Sequence, residues 1–122
     1  MQKERRLVRE GDFSLVYKRG KGWADNSLAL KTLPNHLEHS RFGFSVGKRL
    51  GTAVVRNKIK RRLREAVRLS TVKEGWDVIF IARRGGAEAD FHQLRQSVEG
   101  LLKRASLLNL DSVPAVQKRD NA

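Results

Sequence analysis

The side chains best able to do chemistry in this chain are cationic, and they are concentrated. Residues 54–68 read VVRNKIKRRLREAVR, with seven basic side chains and one acid in fifteen positions. Set on a helix, Val55, Ile59, Leu63, Ala66, Val67 and Ser70 share an apolar stripe about 120° wide, while Asn57, Lys60, Arg61, Arg64 and Arg68 fill an arc of about 100° beyond it. Guanidinium forks present paired donors that match phosphate oxygens and base edges. Arg56 and Lys58 stand in the first turns of such a helix, where the backbone dipole disfavours cations, and Glu65 is the only acid within it. A merely solvated charged face would mix its signs. External phosphate is the simplest compensation for so much like charge.

Other chemistries find less to work with. There is no cysteine, so thiolate nucleophiles, thiolate metal sites and disulfides are excluded. His36 and His39 have HxxH spacing, but they fall in a polar connection where Glu38 does not complete a ligand set. His92 reads as a surface or core-edge residue of a late helix. Asp12, Asp25, Asp77 and Asp90 fall on separate elements, so a carboxylate-clustered Mg²⁺ nuclease site is unsupported. GKRLGTAVVRNK tempts a phosphate-loop reading yet has neither GxxxxGK[ST] nor GxGxxG spacing; Gly47 and Gly51 serve the turn. No catalytic and no metal-ligating residue is therefore assigned.

The whole composition limits the partners. The 122 residues carry net charge +13, a balance suited to polyanions, nucleic acid ahead of anionic membrane. No run approaches the roughly eighteen apolar residues of a membrane span, and MQKERRLVREGD has charges where a signal peptide needs its apolar core. A cytoplasmic protein is expected. A membrane-surface role for the basic helix is disfavoured because its apolar stripe is aliphatic and needed for the core.

The elements that must hold the basic helix follow from periodicity. Phe13, Val16 and Tyr17 at i, i+3 and i+4 predict a first helix over 11–19 with Gly20 as its stop. Residues 23–33 read as a short strand, a turn at Asp25-Asn26 and a longer strand. Phe42, Phe44 and Val46 alternate with Arg41, Gly43 and Ser45, predicting a strand hairpinned to its predecessor, with a polar second face able to meet a ligand. Thr52 is placed to cap the basic helix. Residues 76–83 (WDVIFIAR) suit a strand buried on both faces, and Phe91, Leu94, Val98, Leu101, Leu102 and Ala105 predict a last helix over 90–107. The reading is an α+β, two-layer αβββαβα sandwich with a βαβ crossover, one domain over 1–108, and a frayed tail over 109–122.

FGFSVGKRLGTAVVRNKIKRRLRE, residues 42–65, resembles the signature of the bacterial ribonuclease P protein subunit, whose core reads RN, two residues, KR, two residues, RE. Here those positions are Arg56, Asn57, Lys60, Arg61, Arg64 and Glu65. The likeness extends to GDF..VY at 11–17 and to IAR at 81–83, covering about residues 5–107. Thr52 stands where the family more often has Asn, and Tyr17 where it has Phe; cap and aromatic face are kept.

The resemblance implies a left-handed crossover, against the usual rule. It also implies a role in binding the catalytic RNA subunit and the 5′ leader of precursor tRNA, with hydrolysis and Mg²⁺ in the RNA; no obligate protein partner is evident in the sequence. Mapped here, Arg56, Asn57, Lys60, Arg61, Arg64 and Arg68 would meet the RNA subunit. Phe13, Tyr17, Ser45, Lys48, Arg49 and Arg83 would line the leader cleft. Spacing alone leaves Phe13 and Tyr17 open to a core-packing role. The competing class is a ribosomal or assembly protein that binds structured RNA without affecting cleavage.

Overall fold

The computed structural model describes residues 2–109. Its chain runs through helix α1 (Glu10–Arg19), strands β1 (Lys21–Ala24), β2 (Leu28–Pro34) and β3 (Arg41–Ser45), helix α2 (Ala53–Arg68), strand β4 (Trp76–Ala82), a short helix α3 (Arg84–Glu88) and helix α4 (Phe91–Arg104). The αβββαβα order holds, with α3 as an addition in the link to α4. The last helix is shorter than its periodicity suggested, because Asp90 closes a capping box with Gln93 and the helix ends at Arg104.

The sheet order is β1-β2-β4-β3. The expected β2–β3 hairpin does not form: β4 lies between them, antiparallel to β2 and parallel to β3. Burial explains the insertion. Val78, Ile79 and Phe80 are all fully buried, and only a central strand covered on both faces can satisfy them. β3 is thereby left at an edge, where Leu7 N–H donates to the Phe42 carbonyl at 2.8 Å.

Each face of the sheet has its own core. Against one face, Ile59, Leu63, Ala66 and Val67 of α2 and Leu94, Val98, Leu101 and Leu102 of α4 pack on Leu28, Leu30, Phe42, Val78 and Phe80. Val55, expected in this stripe, lies one turn too early and is exposed. The other face holds Leu7, Val16 and Ile79, with Phe13, Leu33 and Ile81 half-buried around them. This is where α1 lies, so the sandwich carries a partial third layer.

Two glycines are needed for reasons the sequence left open. Gly20 has ordinary extended backbone (φ −74°), but a Cβ there would stand 2.5 Å from the Val16 carbonyl oxygen and 2.7 Å from that of Thr32. It is a point of close approach between α1 and β2. Gly51 does need its glycine backbone, at φ 144°, and the Thr52 hydroxyl then caps α2 by accepting from Val55 N–H at 3.4 Å.

Asn109 N–H donates to the Thr71 carbonyl at 2.7 Å, so the first residue assigned to the tail is tied to the domain. Residues 110–122 of that assignment lie outside the described part. No helix among the described residues is long and apolar enough to cross a membrane.

Candidate nucleic-acid interface

The cationic arc of α2 divides once the helix is seated. Because Ile59, Leu63 and Ala66 are drawn into the core, the side of the arc nearest β3 is turned toward α1. Asn57, Lys60 and Arg64 line a cleft of about 320 Å³ together with Phe13, Gly43 and Phe44. Arg6 and Val8, from the extended segment before α1, complete its rim. Neither was among the expected site residues, and Val8, 73% exposed, carries no sequence signal beyond being apolar and unaccounted for by the core.

Phe13 belongs to both the core and the cleft. It is half-buried on the α1 face of the sheet, where a Cβ on Gly43 would meet its ring at 2.5 Å. Tyr17, one turn on, is 40% exposed, with its ring centroid 6.4 Å from that of Phe13 and a 37° angle between the planes. Ser45 shares the face of β3 that carries Gly43. Lys48 and Arg49 are exposed in the 3₁₀ turn that follows β3. Arg83, at the end of β4, is exposed and donates to the Asp25 carbonyl at 2.7 Å. β3 and β4 are parallel and in register from Arg41–Asp77 to Ser45–Ile81, so these residues gather at the carboxyl ends of neighbouring strands.

The remainder of the arc has other surroundings. Arg61 is exposed and has no ion pair or hydrogen bond among the described residues. Arg68 is exposed but engaged, its Nε donating to Glu65 Oε2 at 2.9 Å; this contact holds the Glu65 carboxyl below its usual range. Arg56 is half-buried, with an Nε that has no protein partner. Arg62, left off the arc by its angle, faces α3 and α4 and reaches the Ala89 carbonyl at 3.5 Å.

Arg41 lies on the polar face of β3, as the alternation predicts, but its charge is engaged: its Nε and Nη2 bind the Asp77 carboxylate at 2.8 and 2.7 Å, and its Nη1 lies 3.4 Å from Asp12 Oδ2. Asp12 and Asp77, which nothing in the sequence pairs, thus meet through one guanidinium. The Asp77 hydrogen bond, more than the nearby charges, raises the Arg41 pKa. His39 Nε2 lies 2.9 Å from the Glu4 carbonyl oxygen, and no group of three or more His, Cys, Asp or Glu able to hold a metal forms among the described residues.

Comparison with known proteins gives this arrangement a family. The family model described as Ribonuclease P matches residues 1–106. The ribonuclease P protein component of Caldanaerobacter subterraneus is 44% identical over 108 residues, spanning 87% of this chain and 93% of that protein. That of Roseiflexus castenholzii is 45% identical over 111 residues, spanning 88% and 91%. Among solved structures, the Staphylococcus aureus RNase P protein aligns with a TM-score of 0.78 at 38% identity, covering 86% of this chain and 98% of that one. The Thermotoga maritima RNase P protein aligns at 0.76 and 33% identity, covering 81% and 96%. With the fold and nearly the whole described length in agreement, the chain belongs to the ribonuclease P protein family, the protein components of an RNA-containing endoribonuclease.

Proposed function

We propose that the protein binds the catalytic RNA subunit of ribonuclease P through α2 and holds the single-stranded 5′ leader of precursor tRNA against α1 and the sheet, assisting endonucleolytic maturation of the tRNA 5′ end. The observation that carries this reading is the cleft where the Phe13 ring faces Asn57, Lys60 and Arg64 across the edge of β3. Aromatic faces hold unpaired bases without demanding a sequence, and nearby cations track the phosphates between them. Tyr17 extends the aromatic wall toward solvent. Ser45, Lys48, Arg49 and Arg83 continue the path at the strand ends. Arg56, Arg61 and Arg68 are left for the RNA subunit, while Asn57, Lys60 and Arg64 stand at the junction, within reach of both RNAs.

In this reading the protein binds and orients, and hydrolysis with its Mg²⁺ belongs to the RNA. Family membership implies an RNA partner; precursor tRNA as the second ligand rests on the cleft's chemistry. The test is to add the purified protein to a ribonuclease P RNA and precursor tRNA at low Mg²⁺, where phosphate repulsion is least screened. Cleavage should be strongly stimulated. Binding to the RNA without any stimulation would favour a structured-RNA assembly protein instead.

A further inference from the structure

We propose that Arg41 is a positioning residue for the leader cleft: fixed by Asp77, it holds Asp12 and so sets where the neighbouring Phe13 ring stands over Gly43. The inference rests on the leader reading and adds to it the part that makes the aromatic wall rigid. Asp77 is buried, and its Oδ1 also accepts from Asn35 Nδ2 at 2.9 Å, so the carboxylate that grips Arg41 is itself immobile. Two guanidinium nitrogens are spent on Asp77. The third, Nη1, is left facing α1, where Asp12 lies at 3.4 Å.

The contacts form two adjacent points of one clamp. Asp12 and Phe13 are consecutive on α1; Arg41 and Gly43 are two apart on β3, hence on the same face. Farther along α1, the contacts are apolar packing of Val16 beside Ile79 and the close approach at Gly20. Apolar packing tolerates a helix rolling by some degrees, because it lacks direction. A charge-assisted hydrogen bond to a fixed guanidinium does not. The absent Cβ at Gly43 gives the ring its seat, and the Asp12–Arg41 contact keeps the ring in it. At 3.4 Å the contact is longer than a strong charge-assisted hydrogen bond, so its removal should move the ring without unfolding the protein.

Asp12→Ala is the variant of choice, since it removes the acceptor that an asparagine amide would keep and leaves the Arg41–Asp77 pair intact. In the free protein, the nuclear Overhauser contact between the Phe13 ring and the Gly43 α protons should weaken, with the melting temperature unchanged. In the holoenzyme, Asp12→Ala should weaken precursor tRNA binding by about threefold to tenfold, less than the loss of a whole stacked base, and leave mature tRNA binding alone. In a Phe13→Ala background the same change should be silent, because coupling exists only while the ring is present. An undiminished ring contact in Asp12→Ala would overturn the proposal, as would an equal loss in both backgrounds. A weakened ring contact beside a Phe13→Ala variant that binds precursor tRNA normally would keep the clamp and refute the leader reading.

Discussion

The two faces of the sheet are built for different work. Among the described residues, one is closed by α2 and α4 over seventeen buried apolar side chains; the other buries three apolar side chains and is partly covered by a single ten-residue helix. Folding free energy is therefore deposited mainly on one side. That leaves the other free to keep an aromatic ring half-exposed beside cations, an arrangement a packed core would not tolerate. Helix α2 belongs to both, since one stripe completes the closed core while Asn57, Lys60 and Arg64 enter the cleft. The largest effect should come from breaking the closed side: Leu63→Ala removes a fully buried side chain and should cost about 2–5 kcal/mol in denaturant unfolding. RNA binding should fall with the folded fraction. A cost below about 1 kcal/mol would mean the closed face is not the seat of stability.

On the open side the expected effects shift from stability to binding. Tyr17→Ala removes an exposed ring and should change unfolding by less than about 0.5 kcal/mol. If the ring stacks a leader base, precursor tRNA binding should weaken by about 1–3 kcal/mol. Mature tRNA has no leader and should bind unchanged, and Tyr17→Phe should match the unmodified protein. Equal losses for both tRNAs together with a lowered melting temperature would return Tyr17 to the core and erase the difference between the faces.

Within the cationic arc the comparison can be made finer. Arg61 is unpaired among the described residues, whereas Arg68 already spends its charge on Glu65. Arg61→Ala should reduce the log–log salt dependence of RNA-subunit binding by roughly 0.7 to 0.9, one phosphate contact's share. Arg68→Ala should reduce it by less, because Glu65 is freed as the arginine is lost. Titrations across a salt series would show it; identical slopes for the two variants would mean that the Glu65 contact dissolves on the RNA.

How far the sequence could be read follows the same division. Periodicity gave the closed side readily, since every second or every third-to-fourth apolar residue reports one buried face: Ile59, Leu63, Leu94 and Val98 fall where the spacing puts them. Strand order was hidden, because the six-residue, mostly polar connection between β2 and β3 suits a hairpin as well as a longer route, and only the double-sided burial of β4 decides for the centre. The cleft was legible in its aromatic and basic members but not in its shape. Asn57, Lys60 and Arg64 had to be seated on the core before their side of the arc could be seen to face Phe13. Arg41 shows a related limit: alternation gives the face a side chain takes, not the partner it finds there.

The smallest effect concerns what keeps the open face's cover in place. Arg5 binds Glu74 through both guanidinium nitrogens, at 2.9 and 2.8 Å. That guanidinium hydrogen bond is the main reason the Glu74 carboxyl is held down at about 2. The link ties the segment that carries Leu7 to the loop before β4, where Glu74 Oε1 also accepts from Ser40 N–H at 3.0 Å. A carboxyl whose folded pKa is depressed contributes stability that is complete above its ordinary value of 4.5 and is lost as pH falls toward about 2. Both side chains are substantially exposed, so screening limits the contribution to at most about 1 kcal/mol. Glu74→Gln should then be slightly less stable than the unmodified protein at pH 6, and the gap should close between pH 4.5 and 2. Hydrogen exchange locates the effect more sharply than melting. The Leu7 amide, bonded to the Phe42 carbonyl, should exchange faster in Glu74→Gln at pH 6, while amides at the centre of β4 keep their protection. If the amides of β4 speed up equally, the link supports the whole domain, and the two faces are not separable at this point.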